Sequence, residues 1–267
     1  MPELAEVEHA RRTWDVGRSQ RVLAVEVSPN AGRVVRDVDI ASLRKALIGQ
    51  ALVFSEARGK QLCFCFGKAA WLGLHLGMAG SLSAQPRDYR LQKHDLLALR
   101  QKNCTLVFTD LRHFGRIRFH HGTEPPPFWT SLPPAVLSPA FTRSLVRVFC
   151  VRRRRSPVKT VLLDQRGFPG IGNWMADEIL WRARLPPTLP AGALTESALT
   201  ALHRAIRWVS ASALAIVDDR WVYPKTWLFH HRWEDGGRCP RCQHALRRPL
   251  IGGRRTCFCP HCQKSRR

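Results

Sequence analysis

The sequence predicts an α+β protein of several domains. Three observations carry that prediction: strand-patterned residues 20–124, a helix-patterned stretch from about 140 to 216, and a cysteine-paired tail at 238–267. At 267 residues and 45% hydrophobic content the chain is long and apolar enough to bury one or two cores.

The elements follow in chain order. Residues 5–14 read as an amphipathic helix ahead of the β region. "RVLAVEVSP", "QALVFSEARGKQLCFCF", "KHDLLALRQ" and "CTLVFTD" alternate or run apolar over strand lengths, with Gly, Pro and Asn between them. Six prolines fall between Pro125 and Pro139, so 1–124 is expected to be one domain and 125–139 a proline-rich linker. "SLVRVFCVRRR", "VKTVLLDQ", "NWMADEILWRARL" and "TESALTALHRAIRWVSASALAIV" then read as helices, the last with Leu199, Leu202, Ile206, Val209 and Ala213 at helical spacing. Their Trp and Leu side chains are expected in the core. Residues 217–237 read as a loop closing a helical domain of 140–237.

Charge narrows the partner. Lys and Arg outnumber Asp and Glu by 43 to 20, a formal charge of +23, and such a surplus calls for a polyanion, with nucleic acid the obvious one. A membrane surface would call for a polybasic run beside an apolar helix, and none is present. With no run of 18 apolar residues and no basic-then-apolar leader, neither a membrane span nor secretion is expected. The cytoplasm is the expected compartment. With no coiled-coil seam, a monomer is expected. Four of the nine cysteines fall in two Cys-x-x-Cys pairs, which in such a protein points to metal ahead of disulfides.

Those pairs, Cys239/Cys242 and Cys259/Cys262, stand sixteen residues apart and can offer four thiolates to one structural zinc ion across a hairpin. The alternative is a set of unpaired buried cysteines, and Cys257, His244 or His261 could compete as ligands. A thirty-residue unit of this kind has too little core to fold without metal. A closed site has no open position for catalysis, so the metal would shape a DNA-binding hairpin with Arg254 and Arg255 near its tip.

Other stretches carry two readings each. "GFPGIGNWMADEIL" runs a glycine loop into a helix, either a phosphate cradle or a turn between packed helices; Arg152–Arg155 and Lys159 upstream favour the first. Met78 and Phe114 sit at glycine-flanked turns, as core anchors or as wedges into a base stack. Lys60, between strands, is a solvated cation or a site residue. "MPELAEVE" gathers Glu3, Glu6 and Glu8 beside Pro2. Removal of Met1 would free a secondary amine, and an α-amine with a pKa of about 8 is in part neutral and nucleophilic near neutral pH. Glu3 could then serve as general acid and Glu6 could hold a proton or water. A solvated chain start is the alternative.

"MPELAEVE", "RGK", "HLGMAGSL", "KHD", "TDLRHFGR", "GIGNWMADEIL" and the cysteine pattern followed by Gln occur in one order over nearly the whole chain. Together they resemble the formamidopyrimidine-DNA glycosylase (Fpg/Nei) family of base-excision repair. The resemblance implies an N-terminal β-sandwich with a flanking helix, a helix–two-turn–helix domain and a C-terminal β-hairpin zinc finger, with damaged double-stranded DNA in a basic cleft. It implies flipping of the damaged nucleotide, excision of the base and strand cleavage by β,δ-elimination. By motif, Pro2 matches the nucleophile, Glu3 the acid at the sugar, Glu6 a second acid and Lys60 the lysine near the damaged nucleotide. Met78, Arg112 and Phe114 match the side chains that fill the hole left by the flipped base, with Arg112 facing the orphaned base. Asn173, Lys159 and Arg254 match phosphate contacts.

Ala5, Leu111 and His113 depart from the family pattern, and so does the stretch 217–237, where a base-recognition loop is expected and Arg232 and Trp233 stand. A lid over the base pocket is expected there. "PEL" and the intact Met78/Arg112/Phe114 set favour oxidised purines as substrate. Oxidised pyrimidines are the alternative within the fold, and a non-catalytic zinc-hairpin protein that binds damaged DNA is the alternative outside enzymology.

Overall fold

The computed structural model of the chain describes residues 1–217 and 222–264, in two compact units, Met1–Leu132 and Pro133–Arg267. In the first unit α1 (Leu4–Trp14) opens with a capping box: Glu3 and Glu6 satisfy each other's backbone donors at the helix start. Its inner face, Leu4, Val7, Ala10 and Trp14, is buried. The helix α2 (Ile40–Leu47), capped by the Asp39 carboxylate, buries Leu43 and Leu47.

Eight strands make the body: β1 (Ala24–Val27), β2 (Leu52–Arg58), β3 (Gln61–Phe66), β4 (Ala70–His75), β5 (Gly80–Pro86), β6 (Asp95–Arg100), β7 (Cys104–Asp110) and β8 (Arg116–His121). They form two four-stranded sheets of order β1-β6-β7-β5 and β2-β3-β4-β8, with all strand pairs antiparallel. Leu62, Phe64, Phe66 and Leu72 of one sheet share a core cluster with Leu97, Leu99, Leu106 and Phe108 of the other. The result is the expected β-sandwich. Trp14 joins it, its ring 4.9 Å from Phe64 and its indole N–H donating to the Val107 carbonyl.

After Gln61, "LCFCF" is apolar at every position because β3 is covered on both faces. Cys63 and Cys65 point away from the sandwich core into a second cluster with Trp71 and Trp129. Trp129 lies on α3 (Pro127–Thr130), within the stretch expected to be a linker. The boundary between the two units falls inside that stretch, after Leu132, and its first prolines shape a turn that lays Trp129 on the sheet, with the Arg58 guanidinium 4.7 Å above its ring.

The second unit is helical, with α4 (Arg143–Arg152), α5 (Val158–Leu162), α6 (Asn173–Arg182) and α7 (Glu196–Val217). Along α7 the spacing expected of a core face is met, since Leu199, Leu202, Ile206, Val209 and Ala213 are buried. Helix α6 is buried from Trp174 to Trp181, on all its faces, and so encloses two acids, Asp177 and Glu178. Asp177 meets Lys159 Nζ at 2.5 Å, Arg232 Nη2 at 2.7 Å and the Cys257 backbone N–H at 3.0 Å. One carboxylate thus ties α5, α6, the segment before the tail and the tail itself. The tail carries a short antiparallel hairpin, β9 (Leu250–Ile251) and β10 (Arg254–Arg255), turned by Gly252 and Gly253 at φ of 57° and 72°. No helix among the described residues is long and apolar enough to cross a membrane.

Beyond Val217 the described part of 217–237 is irregular apart from one 3-10 turn at Leu228–His231. Residues 218–221 lie outside the described residues. Within the described part Tyr223, Trp227 and Leu228 are buried while most of their neighbours are exposed, and the rings of Tyr223 and Phe229 lie 4.9 and 5.2 Å from that of Trp174. Arg232, placed on the lid by its sequence position, is 7% exposed and held by Asp177. Aromatic packing on Trp174 and the Arg232–Asp177 pair hold this irregular stretch against α6.

Candidate functional site

At the start of the first unit α1 brings two acids and a lysine together. Glu3, the residue before α1, is 4% exposed, and its backbone N–H donates to Glu6 Oε2 at 3.1 Å. The helix thus orients both carboxyls by its own cap, beside a half-buried Pro2. Lys60 sits on the β2–β3 turn, where Gly59 takes φ 63°, and its ammonium lies 3.6 Å from Met1 Sδ. Residues 1–3 and residue 60, far apart in sequence, meet because α1 packs against β2 and β3. Once Met1 is removed, the Pro2 amine would join two carboxyls and an ammonium, groups able to attack an electrophilic carbon, protonate a leaving group and stabilise an anion.

Sequence reasoning missed one member of this neighbourhood. His75 ends β4 opposite Gln61, next to Lys60. Burial pushes its pKa down, and the charges of Lys60 and Arg118 push the same way, so the ring is neutral at pH 7. Nδ1 accepts the Gly77 N–H at 3.1 Å, so Nε2 carries the proton and is the donor. His75 lines a concave surface with Arg33, Arg36, Gln61, Phe114 and Arg118. The available signal was strand pairing: "RGKQ" and "HLG" are the two ends of one hairpin, and each alone is silent.

Met78, Arg112 and Phe114 lie on two touching loops. A Cβ on Gly77 would stand 2.4 Å from the Phe114 carbonyl carbon, so only glycine, here at φ 61°, lets the Met78 loop abut the Phe114 loop. Asp110 shapes the second loop by accepting the backbone N–H of Arg112 at 3.0 Å and of Gly115 at 2.6 Å. Met78 is 36% and Phe114 46% exposed, so neither is a core anchor. Two guanidiniums, of Arg33 and Arg112, lie 4.6 and 5.0 Å over the Phe114 ring. Apolar side chains held out between cations suit insertion beside stacked bases flanked by phosphate.

In the second unit the glycine loop ends at Gly172, the residue before α6. Asn173 opens the helix and donates from Nδ2 to the Arg255 carbonyl at 2.9 Å, while its buried Oδ1 has no hydrogen-bond partner. The hairpin is thereby tied to the helix start, and Arg254 is exposed on β10. Lys159 departs from expectation. It is fully buried, its ammonium on Asp177 and on the Asn173 carbonyl at 2.7 Å, so it braces α6 and does not meet phosphate. A lysine in a basic run reads as a solvated cation until its buried acid is located.

The four cysteines of the tail converge. Sγ–Sγ distances are 3.9 Å for Cys239–Cys262, 3.5 Å for Cys242–Cys259 and 3.4 Å for Cys242–Cys262. Thiolates at ~2.3 Å around one tetrahedral ion would stand roughly 3.8 Å apart, so the donor set fits zinc. Burial raises the Cys239 thiol, but the Trp181 indole N–H at 3.3 Å and backbone N–H groups outweigh it and bring the pKa down to about 7. Gln263 anchors the cluster, accepting the Cys259 N–H and donating to the Leu185 carbonyl. Cys257 stands apart: buried, with its thiol pushed up to about 12, it is outside the four-cysteine group.

Comparison with known proteins agrees in both units. Residues 1–117 match the family model described as "Formamidopyrimidine-DNA glycosylase N-terminal domain", and 132–220 match "Formamidopyrimidine-DNA glycosylase H2TH domain". A formamidopyrimidine-DNA glycosylase of Exiguobacterium sibiricum is 32% identical over 276 residues, covering 99% of each chain. Two solved structures of the Lactococcus lactis Fpg, one with DNA containing N7-benzyl-Fapy-dG and one with DNA containing an oxidised pyrimidine, are each similar at TM-score 0.87 and 28% identity. Each covers 99% of this chain and 100% of the other.

Proposed function

The chain belongs to the formamidopyrimidine-DNA glycosylase family, and we propose that it is a base-excision-repair enzyme that removes oxidised purines from double-stranded DNA and then cuts the strand. The observation that carries the reading is the corner where Pro2, Glu3, Glu6 and Lys60 meet.

Met1–Pro2 is an amide, so the mechanism begins once Met1 is removed. The Pro2 nitrogen lone pair attacks C1′ of the damaged nucleotide. The C1′–N bond to the base breaks, and the base leaves with that electron pair and a proton from Glu3. The C1′–O4′ bond then breaks, the proton from the proline nitrogen passes to O4′, and the opened sugar is held as an iminium, which acidifies the C2′ hydrogen. Removal of that proton expels the 3′-phosphate, removal of the C4′ proton expels the 5′-phosphate, and water hydrolyses the iminium to restore the amine. Glu6, which keeps Glu3 in its cap geometry, is the second proton carrier, and Lys60 offsets developing negative charge. Met78, Arg112 and Phe114 occupy the gap left by the extruded nucleotide. Asn173 and Arg254 bind phosphate. When bound, zinc holds Cys239, Cys242, Cys259 and Cys262 in one rigid hairpin base and takes no part in the chemistry.

Borohydride trapping on duplexes carrying 8-oxoguanine, an oxidised pyrimidine or an abasic site tests this reading. The expected result is an adduct mapped to residue 2 on the 8-oxoguanine duplex, lost in Pro2→Gly. An adduct only with the oxidised pyrimidine or the abasic site would keep the amine and move the substrate. Tight binding with no adduct anywhere would leave a binding protein.

A further inference from the structure

Two histidines beside the cysteine pairs have no place in the four-thiolate site. His244 and His261 are exposed, yet their rings are stacked, with centroids 4.0 Å apart and planes 8° from parallel. His244 Nδ1 lies 3.0 Å from the Cys242 carbonyl oxygen. A carbonyl only accepts, so Nδ1 carries the proton and Nε2 keeps its lone pair. That is how a metal-ligating imidazole is usually held, with one nitrogen on a backbone carbonyl and the other left for the ion. A third donor is close: one ligand atom each from Cys242, His244 and His261 lie within 4.8 Å of one another. Cys239 and Cys259 are fully buried and Cys242 only partly, so Cys242 turns an edge of the cysteine cluster outward.

We propose that His244, His261 and the Cys242 thiolate form a second site for a borderline divalent cation of the zinc class, the thiolate bridging it to the ion among the four cysteines. The inference rests on the four-cysteine site holding zinc. Four thiolates around one divalent ion leave an excess of about two negative charges, from four single negatives and one double positive. Sharing one thiolate with a second cation relieves that excess. Zinc–nitrogen bonds of ~2.0–2.1 Å and a zinc–sulfur bond of ~2.3 Å need donors roughly 3.3–3.6 Å apart. The donors therefore have to converge by up to about 1.5 Å, a change that exposed side chains make by rotation. Three protein donors leave the fourth position to water, so this site, unlike the four-cysteine one, is open.

Zinc stoichiometry of the full chain, by native mass spectrometry with Zn²⁺ alone as probe, tests the idea. The wild type is expected to take up two zinc ions, and the His244→Ala/His261→Ala double variant one, with its tail still folded. Cobalt titration is expected to alter the thiolate-to-cobalt absorption again at the second equivalent, as a bridging Cys242 requires. One ion in both proteins would overturn the second site and leave the first standing. Two ions in both would remove the histidines from it. No zinc in either would remove both sites, separating failure of this proposal from failure of the premise beneath it.

Discussion

Replacing Asp177 with Ala should unfold the helical unit at a much lower temperature. The carboxylate is fully buried and faces two buried cations, Lys159 at 2.5 Å and Arg232 at 2.7 Å, plus the Cys257 N–H. Removing one member of a buried ion pair costs about 3–5 kcal/mol, because the partner's desolvation is no longer offset. Here two cations lose their acid at once, so the upper part of that range applies, and the conversion of a few degrees per kcal/mol gives a fall in Tm of roughly 10–20 °C. Thermal unfolding followed by circular dichroism, with zinc release read in parallel, measures it. The tail should loosen together with the helices, since Asp177 also holds the Cys257 backbone. Arg166→Ala, which removes an exposed partner of Asp164, is the control and should leave the melting temperature nearly unchanged. A triple variant with Asp177, Lys159 and Arg232 all apolar should recover much of the loss, as buried pairs replaced whole often do. If Asp177→Ala melts within about 3 °C of the Arg166→Ala control, the reasoning from buried charge fails.

Glu178 supplies a pH dependence: burial, only partly offset by Arg182 and by the backbone N–H groups of Phe229 and Leu228, lifts its pKa from 4.5 to about 7. The folded state therefore holds a proton that the unfolded state has lost, so stability falls as pH rises from about 4.5 to 7, by on the order of 3 kcal/mol. Chemical unfolding of Glu178→Gln should show that slope flattened; an unchanged slope would remove Glu178 as its source. Cys259→Ser should lose the tightly bound zinc and weaken DNA binding at least tenfold, and unchanged metal content in mass spectrometry would count against the four-cysteine site. Arg112→Ala should level the excision rates measured opposite the four bases; a wild type already indifferent to the opposite base would exclude that role for Arg112.

Local features were legible without coordinates. The Cys-x-x-Cys pairs and the helical spacing of Leu199, Leu202, Ile206, Val209 and Ala213 lie within a few residues of their partners, so spacing alone defines the geometry. The strands were legible for the same reason, by their period of two and their turns. What escaped was decided by partners distant in sequence. Lys159 reads as a phosphate contact until Asp177 stands beside it, Arg232 as a lid residue until the same carboxylate buries it, and His75 as one strand residue until pairing sets it next to Lys60. Met78 and Phe114 read more readily as core anchors than as wedges, and only the meeting of two loops at Gly77 holds them in solvent. Sequence by itself determines propensity, periodicity and local donor sets. Which charge is neutralised, and which apolar side chain is left exposed, is a property of packing, because burial and electrostatic pairing are set by neighbours that the chain brings together only when it folds.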